Sequence, residues 1–440
     1  MSKGIAAAFA PAPRAGLVTL LLLAAGFAVY PQFLRFSEDE PFPDSSSSRQ
    51  AMERVIFAPV GEIPRVEREL VVPFPGAEEV LYRTEEQSGH LYQLFLTEYD
   101  GRFPVYAAGS YIIKRSLDDG SYAQVKVFIR SDEGFFVRIR PRGRRSEMDV
   151  TLNGRELYRR IPVAVPFDQI LTLPFTEVIR STRHLVDWSL LEPLGTVEEY
   201  QAVETMVRRA RQALPTLPDA EDGAMDENGS LVFIENLGTM EDLPGFNCSG
   251  FAKWVCDGVY QPRTGSFMSI EPLKEKHLDL RGTGWSEPRE GDRDPFFGLD
   301  WTRNLARTIA ALDGGGDPER IHPEALDVRD IPLATYTEDM GYPVESLPHL
   351  LYYLAVRDPG YFYLGSVNRE FGSGPVLRQH THVVVLFPYF DSAGTFETVV
   401  LERNVETSVE SLQGRYGEEY IHLVRVPATE RFDPPQFAEP

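Results

Sequence analysis

The chain has 440 residues, of which 42% are apolar, 25% charged and 11% aromatic, an ordinary composition for two or three domains with buried cores. Forty-four Lys and Arg stand against 66 Asp and Glu, and the formal charge of −22 excludes a broad electrostatic surface for nucleic acid. Two cysteines, Cys248 and Cys256, are too few for a disulfide-scaffolded small domain. No helical repeat and no heptad run is visible.

Lys3 and Arg14 precede an uncharged run at 15–34, AGLVTLLLLAAGFAVYPQFL. Its most apolar part, 17–29, has the length of a signal-peptide core, and Gly26-Phe27-Ala28 is a small-x-small cleavage pattern. Counted through Leu34, the run has the length of a minimal bilayer span, weakened by Pro31 and Gln32. Residues 1–34 are therefore read as a signal peptide or an N-terminal membrane anchor. Either one exports the rest of the chain to the periplasm or cell envelope. Basic residues before the run and acidic ones after it set an N-in, C-out orientation. The acidic, Ser-rich stretch at 35–60 reads as a flexible tether.

A β-rich domain is expected at 61–185, as a small all-β sandwich or barrel. Strand candidates follow one another at short spacing: VYAAGSYIIKR, YAQVKVFIRS, GFFVRIRPR, MDVTLNG and ILTLPFTEVI. In Gln124-Val125-Lys126-Val127-Phe128-Ile129-Arg130 apolar and polar residues alternate, as a half-buried strand requires. Asp118-Asp119-Gly120 and Asp132-Glu133-Gly134 are turn sequences between such runs. Arg138, Arg140, Arg142, Arg144 and Arg145 make an island of positive charge, read first as a solvated edge guarded by charge and second as a site for an anionic partner.

A helix follows, opened by the capping box Thr196…Glu199 and carrying the apolar stripe Val197, Tyr200, Val203, Val207 and Ala210; Pro215 ends it. The acidic loop at 219–230 lacks a bidentate Glu at calcium-loop spacing and reads as a plain solvated loop.

The segment GFNCSGFAKWVCDG at 245–258 carries the chemistry. Pro244 and Gly245 break the chain, and Phe251, Trp254 and Val255 then fall at i, i+3 and i+4, the buried face of a helix. Cys248 sits at its N-terminus, where unpaired N–H groups and the positive dipole end favour a thiolate and can hold an oxyanion. Eight helical residues rise about 12 Å, beyond the roughly 7 Å reach of a disulfide. A helix therefore keeps Cys248 and Cys256 apart, with Cys256 in the core.

Phe246-Asn247-Cys248-Ser249-Gly250-Phe251 resembles the Asp-Cys-Ser-Gly-aliphatic signature of NlpC-type cell-wall peptidases, a branch of the papain-like cysteine peptidases. Thr381-His382-Val383-Val384-Val385-Leu386-Phe387 resembles that family's His-bearing strand, and Phe396 to Asn404 supplies the strand after it. The order Cys, His, polar residue is the family's order, and the resemblance spans roughly 230–430. It implies an α+β, papain-like or NlpC-like domain at 186–440, with a Cys-bearing helix packed on an antiparallel sheet and an insertion at about 261–348. It also implies Cys248 as nucleophile and His382 as base. Glu402 and Asn404 fall on one face of their strand. The resemblance favours Asn404 to orient His382, Cys-His-Asn being the common papain-like set, with Glu402 the close alternative. Asn247, standing where the family has Asp, and Ser249 become candidate substrate contacts. His380 and His382 share a strand face without a third and fourth ligand pattern, so no metal is read, and no cofactor is implied. A helix at 301–312 within the insertion is read as core packing or a wall of the cleft.

The expectation is thus an exported cysteine peptidase or amidase acting on a peptide or peptidoglycan substrate through a Cys248-His382-Asn404/Glu402 triad. The partners expected are that substrate and, for an uncleaved leader, the membrane, with no nucleic acid. The alternatives are an inactive envelope-binding protein and an acyltransferase using the same triad.

Overall fold

The structure, a computed structural model, describes residues 44–191, 195–241, 244–277, 287, 294–372, 377–392 and 394–436. The apolar run at 15–34 and its cleavage pattern lie outside the described residues. No helix among the described residues is long and apolar enough to cross a membrane.

Helices α1 (Ser46–Ala51) and α2 (Glu53–Ile56) open the described chain, so the expected tether is replaced from residue 44 onward by packed structure. The reason is Arg49, which is fully buried. Its guanidinium lies 3.5 Å from the centre of the Tyr111 ring and donates to Leu171 O at 2.7 Å, Leu173 O at 3.0 Å and Asp44 Oδ1 at 2.6 Å. A buried cation is tolerated only with its donors satisfied, and here most of the acceptors come from more than 120 residues downstream.

Eight strands follow: β1 (Glu69–Val71), β2 (Val80–Gln87), β3 (His90–Thr97), β4 (Tyr111–Ser116), β5 (Tyr122–Phe128), β6 (Phe136–Arg142), β7 (Arg145–Leu152) and β8 (Arg155–Val163). They pair antiparallel in chain order as one sheet with β1 and β8 at its edges, in place of a two-sheet sandwich or a closed barrel. Val125, Val127, Val137 and Ile139 are fully buried on the inner face, and Lys126, Arg138 and Arg140 alternate with them. The run at 170–179, expected as a strand, is instead helical. It closes α3 (Phe167–Ile170) and enters α4 (Phe175–Thr182), each preceded by a proline. Phe175, Val178 and Thr182 are its buried residues, a helical rather than a two-residue period.

The second half is an α+β assembly. Its helices are α5 (Val197–Ala213), α6 (Cys248–Thr264), α7 (Phe297–Gly314), α8 (Leu347–Arg357) and α9 (Val409–Tyr416). The capping box Thr196/Glu199 is formed at the start of α5. Strands β9 (Ala224–Met225) and β10 (Leu231–Val232) make a small hairpin. Then β11 (Tyr342–Pro343), β12 (Tyr361–Phe371), β13 (Leu377–Phe390), β14 (Phe396–Glu402), β15 (Val405–Thr407) and β16 (Tyr420–Pro427) form an antiparallel sheet in the order β11-β16-β12-β13-β14-β15.

This sheet is covered on both faces, which explains the unbroken apolar run in β13. Val383, Val385 and Phe387 join Val203, Phe251, Val255 and Trp301 on the side of α5, α6 and α7. Val384 and Leu386 join Leu350, Leu351 and Leu412 on the side of α8 and α9. The stretch expected as an insertion is part of this core: α7 packs against α6, β12, β13 and β16, with Trp301, Leu305 and Ile309 fully buried. The two halves share one hydrophobic cluster running from Val127 and Val137 through Phe175 and Trp188 to Val385. Tyr352 OH seals the junction by donating to Leu190 O at 2.7 Å.

Candidate active site

Asn247 is the N-cap of α6, with extended backbone and its Oδ1 accepting the Gly250 N–H at 2.8 Å. Cys248 is therefore the first residue of the helix, and both cysteines are free thiols. Cys248 is half-buried and Cys256 wholly buried. Phe251, Trp254 and Val255 fill the core, and Trp254 Nε1 donates to Pro435 O at 3.0 Å. The glycine of the Cys-Ser-Gly motif has a steric cause: a Cβ on Gly250 would lie 1.9 Å from the Gly223 carbonyl oxygen. Only glycine lets the helix start approach that loop so closely. The first-turn N–H groups of Cys248 and Ser249 have no partner within the helix itself, as at any helix start.

The opposite wall is an exposed stretch of strand edge. Strand β13 pairs with β12 from Leu377 to Leu386, but β14 pairs with it only from Val385 onward. Of the edge left bare, His380 N–H donates to Pro295 O at 2.8 Å. The next portion receives Cys248, whose sulfur is hydrogen-bonded by the His382 side chain and the Val383 N–H. Cys248 and His382 therefore meet because β14 is too short to cover the strand that carries His382.

Glu402 holds the far side of the imidazole. His382 Nε2 and Glu402 Oε2 are 2.6 Å apart, which leaves Nδ1 as the ring nitrogen for the sulfur. Asn404, the favoured orienting residue from sequence, is not there: its Nδ2 donates to Leu217 O at 2.9 Å. The strand that was expected to continue stops at Glu402, which pairs with Val405 across a two-residue turn. Arg403 takes a left-handed φ of 54° in that turn, and the turn carries Asn404 off the face that Glu402 occupies.

The electrostatics follow from burial and contact. Burial pushes the Cys248 thiol up, but the hydrogen bond and charge of His382 outweigh it and hold the thiol below its ordinary value. Burial likewise disfavours charged His382, yet Cys248 and Glu402 raise it to about 9. Glu402, penalised by burial, is brought down to about 2 by hydrogen bonds from His382, Arg415 and Thr407. All three shifts favour a thiolate–imidazolium pair at neutral pH. Cys256 is pushed well above the ordinary thiol value by burial, as an inert core cysteine is.

A cleft of about 1070 Å³ opens over these residues, lined also by Asn247, Ser249, Asp222, Lys274 and Phe297. Asn247 and Ser249 do lie beside Cys248, and both have partners within the protein. Asn247 Nδ2 donates to Asp222 Oδ1 at 3.2 Å; the Ser249 side chain hydrogen-bonds Cys248, and its carbonyl accepts from Trp301 Nε1 at 2.9 Å. His380 pairs with Ser366 Oγ at 2.9 Å and does not join His382 in a metal pair. Among the described residues, Glu324, Glu338 and Asp339 could together offer ligands to a metal. Arg329 already bonds Glu324 and Glu338, and Arg303 bonds Asp339, so the group is neutralised from within. The arginine island of the first sheet is partly neutralised too, by Arg140–Asp149 at 2.5 Å and Arg142–Glu147 at 3.3 Å.

Sequence reasoning missed Thr407, Arg415, Tyr416 and the Val383 N–H, all of which touch the Cys–His–Glu line. The polar triplet Glu402-Arg403-Asn404 interrupting an apolar run was the available signal for a turn. Nothing local marked the others.

A family model described as Domain of unknown function (DUF8515) matches residues 38–190, the β1–β8 half and not the half with the cleft. A search of curated proteins finds no match, and a search of solved structures finds none.

Proposed function

We propose that the chain is a cysteine peptidase or amidase working outside the cytoplasm, with peptidoglycan stem peptides as its substrate class. The observation that carries this reading is the continuous line Cys248–His382–Glu402 at the floor of one cleft. The half from residue 186 onward is, on this reading, a variant of the papain-like, NlpC-like arrangement in which a helix presents the nucleophile to a strand that presents the base.

The chemistry uses only groups in the cleft. The Cys248 thiolate attacks the amide carbonyl carbon, and the C=O electron pair moves to oxygen, where first-turn N–H groups of α6 receive it. As the tetrahedral intermediate collapses, imidazolium His382 gives its Nδ1 proton to the departing amine, leaving a thioester on Cys248. Water then attacks the thioester while His382 takes its proton. Collapse releases the carboxylic acid and restores the Cys248–His382 pair. Glu402 keeps the ring in one tautomer and offsets its charge throughout.

Digestion of purified peptidoglycan and of short peptide amides by the wild type and by Cys248→Ala tests the reading. New amine termini should appear with the wild type alone. Identical digests from both proteins would reject an enzymatic role and favour an envelope-binding protein. Export is tested separately by a phosphatase fused after residue 48, which should be active only outside the cytoplasm.

A further inference from the structure

Beyond the three residues on which the proposed function rests, the end of α9 closes around both His382 and Glu402. Glu402 is only 3% exposed, and its two oxygens are divided between tasks. Oε2 faces His382, while Oε1 accepts the Thr407 hydroxyl at 2.5 Å and a short hydrogen bond from Arg415 Nη2. The next residue, Tyr416, stacks on the His382 ring with centroids 5.9 Å apart and planes 28° apart. Arg415 is anchored on its own helix by Nε donating to Ser411 O at 3.2 Å. Leu412, fully buried, pins that helix to the sheet.

We infer that Arg415 is a positioning residue of the Cys–His–Glu line, holding Oε1 of Glu402 so that the carboxylate stays ionised and keeps Oε2 on the imidazole. A carboxylate shut away from water needs charge-assisted donors to remain charged. Thr407 supplies a neutral donor, and His382 supplies charge only while it is protonated. Arg415 supplies charge at every working pH. The groups facing the pair come from every surrounding element: Cys248 on α6, Glu402 on β14, Thr407 on β15, and Arg415 with Tyr416 on α9. Arg403, adjacent to Glu402, is directed away to Asp219 at 2.8 Å and to the Ala220 carbonyl. Removing Arg415 therefore leaves a buried carboxylate that takes up a proton at higher pH. Once neutral, it no longer offsets the imidazolium, and the thiolate loses its partner.

The inference rests on the proposed nucleophile, so its test reads the thiol rather than turnover. Iodoacetamide alkylation of Cys248 is followed by peptide mapping from pH 4.5 to 9 in the full chain and in Arg415→Met, Arg415→Lys and Thr407→Val. Thermal unfolding of each variant confirms the fold. The wild-type thiol should stay reactive well below the pH at which a free thiol becomes inert. In Arg415→Met the acid limb should move up by about one pH unit, so alkylation on that limb slows about tenfold. Arg415→Lys, which keeps the charge, should recover most of this, and Thr407→Val should shift the limb less than Arg415→Met. A folded Arg415→Met with the wild-type profile overturns the role of Arg415 and leaves the nucleophile standing. A wild-type Cys248 that titrates like an ordinary thiol overturns both.

Discussion

The outer face of the first sheet and the cleft half of this molecule handle charge differently. At the β6–β7 end of the first sheet an ionic pair stands on a wet face: Arg142, 66% exposed, reaches Glu147 at 3.3 Å. Around the cleft and in the core of the half built on β11–β16, several ionic groups are enclosed and linked. Glu402 serves His382, Thr407 and Arg415 together. Lys253 and Asp257 meet at 2.6 Å inside α6 with neither exposed, and Arg303 and Asp327 do the same at 2.6 Å. The same residue types are worth little where water can replace the partner and a great deal where it cannot. Reactive chemistry needs the second setting, because only there can neighbours hold a thiol and an imidazole in their charged forms.

The sharpest way to break the contrast is at the reacting pair. Cys248→Ala and His382→Ala should each remove at least about 10³-fold of amidase activity, with the double variant little worse, because groups that act as a unit are non-additive. Multiplying losses in the double variant would show that the two residues work separately. Glu402→Ala should cost on the order of 10²-fold in kcat/KM, while Asn404→Ala should stay within a few-fold. Equal losses from the two would return Asn404 to the site.

A smaller effect on activity, but a large one on stability, is expected within α6. Lys253→Met strands the Asp257 carboxylate and should cost about 3–5 kcal/mol in urea unfolding, with Lys253→Met/Asp257→Leu recovering much of it. Burial lifts Asp257 to about 6 despite Lys253. The folded carboxyl therefore binds a proton that the unfolded chain has already released, and this group's contribution to stability falls as pH rises from about 4 to 6. A Lys253→Met protein as stable as the wild type would mean the buried pair does nothing for the fold. The weakest expected effect is on the first sheet. Arg142→Ala should change stability by less than about 1 kcal/mol, and less still at high salt. A larger loss would show that the outer face is not simply solvated.

How far the fold and site could be read in advance varied with the range of the forces involved. The helix that Cys248 begins was legible because a cap, a chain break and an i, i+3, i+4 apolar pattern are local. The strands from Tyr122 to Leu152 were legible because alternation is local as well. The stretch 170–179 misled because its apolar residues suit either period, and the packing of Phe175, Val178 and Thr182 chose the helix. Residues 44–60 misled because their composition is that of a solvated linker, and only the fold brings the Leu171 and Leu173 carbonyls to Arg49.

The sequence by itself determined that a cysteine would begin a buried-faced helix, that Cys256 could not bridge to it, and that an apolar strand would follow His382. Each of these follows from spacing along a few residues and needs no partner from elsewhere. Only the tertiary structure decided that Glu402 and not Asn404 meets the imidazole and that Arg415 meets Glu402. It alone placed α7 in the core, where sequence had left open a wall of the cleft. Those choices depend on where β14 ends, how α9 packs and which segments share a core. A buried charge takes the partner that the folded chain carries to within hydrogen-bond distance, whatever its separation in sequence.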